Sequence, residues 1–136
     1  NFSLEEERFD EVGISPRPKG GAIPIWIGVS PEPPVQALER IGRLADGWFT
    51  MCRVDQFESQ NRVVLESIKR AGRAASEIGV EAEVSVVDGL PDNFISLVNR
   101  WVDLGVSHIS LSTLGLKGDS SSHLKQLTNA LELLEK

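Results

Sequence analysis

Beyond residue 22 the chain alternates short apolar runs with longer amphipathic stretches, and that alternation predicts its elements. Ile23-Pro24-Ile25-Trp26-Ile27-Gly28 is β-branched and aromatic and follows a Gly20-Gly21 turn, so it predicts a buried parallel strand. Past Ser30-Pro31-Glu32-Pro33-Pro34, the spacing of Val35, Leu38, Ile41, Gly42 and Ala45 predicts a helix ending before Asp46-Gly47. Trp48-Phe49-Thr50-Met51 reads as a very short second strand. Asp55 followed by Glu58 predicts a capping box at the head of a long helix. Its apolar face is Phe57, Val64, Ile68, Ala71, Ala75 and Ile78, and Gly79 supplies the stop.

The third strand, Val80 to Val87, sets Val80, Ala82, Val84 and Val86 against Glu81, Glu83 and Ser85, so one of its faces is wetter than full burial allows. Asp88-Gly89 turns the chain and Asp92 can cap a third helix. That helix buries Phe94, Ile95, Val98, Trp101 and Val102 and stops at Gly105. In the fourth strand, Val106 to Ser112, Ile109 and Leu111 are apolar while His108, Ser110 and Ser112 are polar. If helices cover the apolar parity, the polar one faces the other side of the sheet. A loop with Gly115, Lys117 and Gly118 leads to a last helix capped by Asp119 or Ser120, with Leu124, Leu127, Leu131 and Leu134 on its face.

Strands alternating with helices imply an α/β class with parallel strands and right-handed crossovers. Four such units in about 115 residues are half of a (β/α)8 barrel of roughly 250 residues. An open doubly wound sheet is the competing architecture. Four strands with nothing to close them leave two exposed edges, an aggregation liability, so partner strands are expected to be missing. Residues 1–136 are accordingly read as one partial domain, with 1–22 a lead-in and 23–136 the barrel half. A chain without an initiator Met that opens inside a charged stretch is expected to be a fragment or a processed product.

Charge removes some partners. The sequence has 20 acidic and 14 basic residues, a formal charge of −6 and no Lys/Arg stripe, so neither nucleic acid nor an anionic membrane is expected as a partner. No apolar run approaches the roughly 18 residues of a membrane span, and the N-terminal residues are the reverse of a signal peptide, so a cytoplasmic location is expected. One cysteine, Cys52, cannot form an internal disulfide, and His108 and His123 offer no spaced metal-ligand set.

The strand end Ile27-Gly28-Val29-Ser30 running into a helix outlines a phosphate site, because a glycine lets an anion approach free backbone N–H groups. The alternative is that Gly28 only turns the chain. Pro31, Pro33 and Pro34 have no N–H, which limits the donors to Gly28, Val29, Ser30 and Glu32. At the second strand end, Trp48 either stacks on a planar cofactor or belongs to the core. Cys52 lacks a visible base and reads as a buried spectator thiol. His108 is either an acid–base group or a structural hydrogen-bonding partner, and Lys117 either meets an anion or is a solvated loop residue. Dinucleotide-binding Gly-x-Gly-x-x-Gly, P-loop, Gly-x-Ser-x-Gly and His-Glu-x-x-His patterns do not occur.

Three stretches in order carry a family resemblance: Phe9-Asp10-Glu11-Val12-Gly13-Ile14-Ser15-Pro16-Arg17-Pro18, Ile23-Pro24-Ile25-Trp26-Ile27-Gly28 and Ala45-Asp46-Gly47-Trp48-Phe49. Together they resemble the bacterial luciferase-like monooxygenase superfamily, and most closely its deazaflavin-dependent oxidoreductase branch. Trp101-Val102-Asp103-Leu104-Gly105-Val106-Ser107-His108-Ile109-Ser110-Leu111 is similar to that family's last helix and strand. The resemblance runs from about Phe9 to the C-terminus and implies units five to eight of the barrel. It implies a redox enzyme that transfers hydride between an organic small-molecule substrate and the deazaflavin coenzyme F420, with FMN the alternative.

By the same resemblance the cofactor phosphate lies at Gly28, Val29 and Ser30, where the family's Gly-Gly-Ser-Ser is here Gly-Val-Ser-Pro. Trp48 and Thr50 lie near the mouth, and Thr113 to Gly118 form the final loop. No catalytic residue carries over, because the early strands that supply several of them are absent, and the chain alone is expected to be inactive. Two further readings stand beside it: a non-catalytic half-barrel that pairs with itself or another subunit, and an open-sheet domain binding a phosphorylated small molecule. The expected partner is either a second copy in a homo-oligomer or the missing N-terminal half.

Overall fold

The structure is a computed structural model that describes the backbone of residues 2–4 and 7–9, and residues 18–87, 90 and 92–135 in full. Two short strands, β1 (Phe2–Leu4) and β2 (Glu7–Phe9), pair antiparallel with Phe2 opposite Phe9, which the lead-in pattern did not predict. Residues 10–17 of the first resemblance stretch and the Asp88-Gly89 turn lie outside the described residues. The main body is β3 (Trp26–Gly28), α1 (Val35–Leu44), β4 (Gly47–Thr50), α2 (Phe57–Arg70), β5 (Gly79–Ser85), α3 (Phe94–Asp103), β6 (His108–Ser112) and α4 (Ser120–Leu134).

The four strands form one parallel sheet in the order β3-β4-β5-β6. Sequential order without a reversal keeps every crossover on the same side of the sheet. Register puts Ile27 beside Trp48, Trp48 beside Val80, Thr50 beside Ala82 and Ala82 beside Ile109. This parity meets the helices. Leu38 and Ile41 of α1, Phe57, Val64 and Ile68 of α2, Phe94, Val98 and Trp101 of α3, and Ala130 of α4 join it in one continuous core. At its centre Phe57 lies parallel to Trp48 at 5.9 Å and meets Trp101 edge-on at 5.4 Å. Each such buried side chain contributes about 1.5–3 kcal/mol. The result is an α/β layer compatible with half of a (β/α)8 barrel.

Helices α1 and α2 approach to backbone contact at Gly42. A Cβ there would stand 2.6 Å from both Ser67 Cβ and Val64 O. Ser67 uses the closeness, donating from Oγ to Glu39 O at 2.7 Å.

Several boundaries differ from the sequence expectation. The first strand shrinks to Trp26–Gly28, since Ile23 and Ile25 are exposed and precede the ladder. The Asp55–Glu58 capping box does not form: α2 starts at Phe57 with Gln56 as its cap residue, and Asp55 pairs with Arg53 at 3.2 Å instead. The same helix ends at Arg70 and does not run on to Ile78. Gly72 takes φ +69, and the N–H groups of Arg73 and Gly72 reach back to Ile68 O and Lys69 O, both at 3.1 Å. A left-handed glycine closes the last turn in this way, and Gly79 opens β5. Gly105, at φ +85, ends α3 by the same device, with Val106 N–H on Trp101 O. No side-chain cap starts α3, so Asp92 does not serve there. Ile95 and Val102 of α3, and Leu124, Leu131 and Leu134 of α4, are exposed where burial was expected. α4 does start at its expected cap, with Asp119 Oδ1 accepting from Ser122 N–H at 3.0 Å.

Candidate functional site

Alternation along a strand sends neighbouring side chains to opposite faces, so the residues not facing the helices define a second, open face. Register arranges it in rows. The lowest row, at the strand N-termini, is Trp26, Gly47 and Gly79. The Trp26 ring lies across both glycines, and a Cβ on Gly47 would sit 2.4 Å from it and one on Gly79 2.7 Å. Only glycine at those two positions leaves room for the indole. The ring is tilted on Phe49 and edge-on to His108, each at 5.2 Å.

Hydrogen bonds lock this lower end. Ile25 N–H donates to Asp46 Oδ2 at 2.7 Å, Asp46 N–H to Ile25 O at 2.8 Å, and Gly79 N–H to Asp46 O at 2.9 Å. The Asp-Gly of the second strand motif thus ties three strands together, and its glycine receives the tryptophan of the first. Ser107 Oγ accepts from Val80 N–H at 2.8 Å and lies 2.9 Å from His108 Nδ1, which holds the imidazole at the same level.

The next row runs Gly28, Phe49, Glu81, His108 across all four strands. Above it come Glu83 beside Ser110, then Ser85 beside Ser112. Polarity therefore rises from an aromatic floor toward the strand C-termini, the end at which parallel α/β sheets bind ligands. A depression of about 220 Å³ lies there, lined by Phe49, Thr50, Met51, Glu81, Glu83 and Ser110.

The five sequence-derived cofactor residues separate at this end of the sheet. Gly28 is exposed, with open space where a Cβ would stand, and Ser30 is exposed beside it. Val29 is buried in the helix-side core and its N–H donates to Phe49 O at 3.3 Å. Trp48 is fully enclosed against Phe57, with its Nε1 unpartnered among the described residues. Thr50 is 3% exposed, and its Oγ1 lies 3.0 Å from Cys52 Sγ. Burial pushes the Cys52 thiol above its ordinary pKa, which suits a spectator sulfur better than a nucleophile. Among the described residues, the backbone N–H groups of Ser30 and Glu32 find no protein acceptor.

At the β6 edge of the sheet, His123 Nδ1 and Thr113 Oγ1 are 2.9 Å apart, joining α4 to the end of β6. Lys117 is exposed in the loop between them. No described group of His, Cys, Asp and Glu could hold a metal ion, and no described helix is long and apolar enough to cross a membrane.

Sequence reading placed Glu81 and Glu83 on a wet face but did not bring them together with Trp26, Phe49 and His108. The parity of the third and fourth strands was the available signal, and it lacked the register. No family model matches the chain, and no curated protein is similar to it.

Proposed function

We propose that this chain is the C-terminal half of a (β/α)8 oxidoreductase of the luciferase-like monooxygenase type, working with the deazaflavin coenzyme F420 or with FMN on a small organic substrate. One observation carries the reading: four parallel strands in sequential order present one face to helices and leave the other polar toward the strand C-termini. A closed barrel turns such a face inward and binds at that end. The motif stretches agree with this, because Asp46, Gly47 and Trp26 interlock as structural parts of one sheet.

The mouth suits a phosphate. Gly28 leaves room for close approach, and among the described residues the N–H groups of Ser30 and Glu32 are unspent. Gly28 and Ser30 would hold the cofactor phosphate, whereas Val29, Trp48 and Thr50 support the floor from the core side. When bound, the cofactor supplies two-electron hydride chemistry, one partner being oxidised as the other gains the hydride. The second reading, a half-barrel that serves only assembly, draws support from the free outer edges of β3 and β6 among the described strands.

Titration of coenzyme F420 and FMN, followed by their fluorescence, tests the proposal. The chain joined to its N-terminal barrel half binds one of them saturably, and residues 1–136 alone bind neither. Absence of binding by the joined protein would exclude the oxidoreductase reading and leave the assembly module.

A further inference from the structure

Strand β4 stops at Thr50, opposite Ala82, while its neighbour β5 runs on to Ser85. Past Thr50 the chain turns away toward α2, and between the loop 52–55, Glu83 of β5 and one side of α3 lies a depression of about 420 Å³. None of these elements is an edge strand of the sheet, so this chain completes the depression by itself and pairing at the edges does not fill it. It contains neither Gly28 nor Ser30, and it shares only Glu83 with the depression on the open face.

Its charges sort into one spent pair and two unspent groups. Arg53 donates from Nε and Nη2 to the two carboxylate oxygens of Asp55, at 3.2 and 3.4 Å. Among the described residues Arg100 and Glu83 join no ion pair, and they do not pair with each other across the space they line. Leu97 and Trp101 give that space an apolar wall. A simple anion drawn to Arg100 would also meet the Glu83 carboxylate, and a simple cation drawn to Glu83 would meet the guanidinium. A molecule with both signs of charge on an apolar body opposes neither. We propose that this depression binds an α-amino acid with an aliphatic side chain. The guanidinium of Arg100 takes the carboxylate, the Glu83 carboxylate accepts from the ammonium, and the side chain lies against Leu97 and Trp101.

Leucine, N-acetylleucine and leucinamide, titrated into the isotope-labelled chain at neutral pH, test the assignment through the backbone amide signals of Leu97, Arg100 and Trp101 in nuclear magnetic resonance spectra. Leucine should shift these signals saturably with a Kd of roughly 1 mM, as suits an open site. Each derivative lacks one of the two charges and should bind about tenfold more weakly. R100Q should weaken leucine binding by about the same factor, and E83Q should bind leucine and N-acetylleucine alike. No saturable shift with leucine would overturn the inference, and so would equal affinity for the three compounds. Those titrations use the unaltered chain, so a variant that loses its fold does not shield the inference. No cofactor enters any of them, so failure here and failure of the oxidoreductase reading are separately visible.

Discussion

The two faces of the sheet are built from the same strands and differ in almost every other respect. On the helix face, Trp48, Val80, Ala82 and Val84 are enclosed by side chains from all four helices of the main body. On the other face, Trp26 and Phe49 form an aromatic floor, with Glu81 level with Phe49, and Glu83, Ser110 and Ser112 stand above it. One face is a finished core, and the other has the floor of a core with the chemistry of a binding surface. A period-two alternation can encode both at once, since each strand assigns its odd and even residues to different tasks.

The contrast breaks most visibly at the two tryptophans. Trp48→Ala removes a fully buried ring and should cost about 3–5 kcal/mol in urea unfolding, a large share of the roughly 5–15 kcal/mol of an ordinary domain. Trp26→Ala removes a half-exposed ring held by Phe49 and His108 and should cost about 1–2 kcal/mol. Equal losses would mean that the faces are not different in kind.

A glycine on each side sharpens the same contrast. Gly42→Ala forces a Cβ against Ser67 Cβ and the Val64 carbonyl. The steric cost outweighs the helix propensity gained, for a net loss of about 1–2 kcal/mol. Gly28→Ala meets open space and should change stability by under about 0.5 kcal/mol, while weakening the proposed binding of a cofactor phosphate there. Thermal unfolding of the two variants, and cofactor titration of each joined to the proposed N-terminal barrel half, separate the effects.

The smallest expected effect lies at α4. Hydrogen bonds from the Ser122 backbone and hydroxyl hold the Asp119 carboxyl below its ordinary value of 3.8. A depressed carboxylate stabilises the fold above its unfolded value, and that stabilisation is lost as pH falls through the folded one. Protection of the first-turn amides of α4, measured against their intrinsic exchange rate, should therefore fall in acid below 3.8 in wild type. D119A should show that reduced protection already at neutral pH, with no further acid step from this site.

Much of the main body was legible in the sequence. Apolar spacing gave the order of strands and helices, and Gly105 and Asp119 marked a stop and a start where the structure has them. Asp55 failed as a cap because Arg53 lies close enough to take its carboxylate, and propensity does not rank those two uses. Gly72 ended α2 ahead of Gly79 because either glycine can stop a helix, and the choice depends on where β5 must begin. The candidate site was half legible. Gly28 and Ser30 announced themselves at a strand end, whereas the row of Gly28, Phe49, Glu81 and His108 exists only once four strands are in register. The exposed leucines of α4 show the remaining gap, since periodicity identifies an apolar stripe without saying what it packs against.

An experimental structure of the protein with its proposed N-terminal barrel half tests the central claim most directly. The account predicts that the outer edges of β3 and β6 are each hydrogen-bonded in parallel to a further strand, with Trp26, Phe49, Glu81 and His108 inside a closed barrel. A second layer of helices on that face, or a face left in solvent with both edges unpaired, would contradict it.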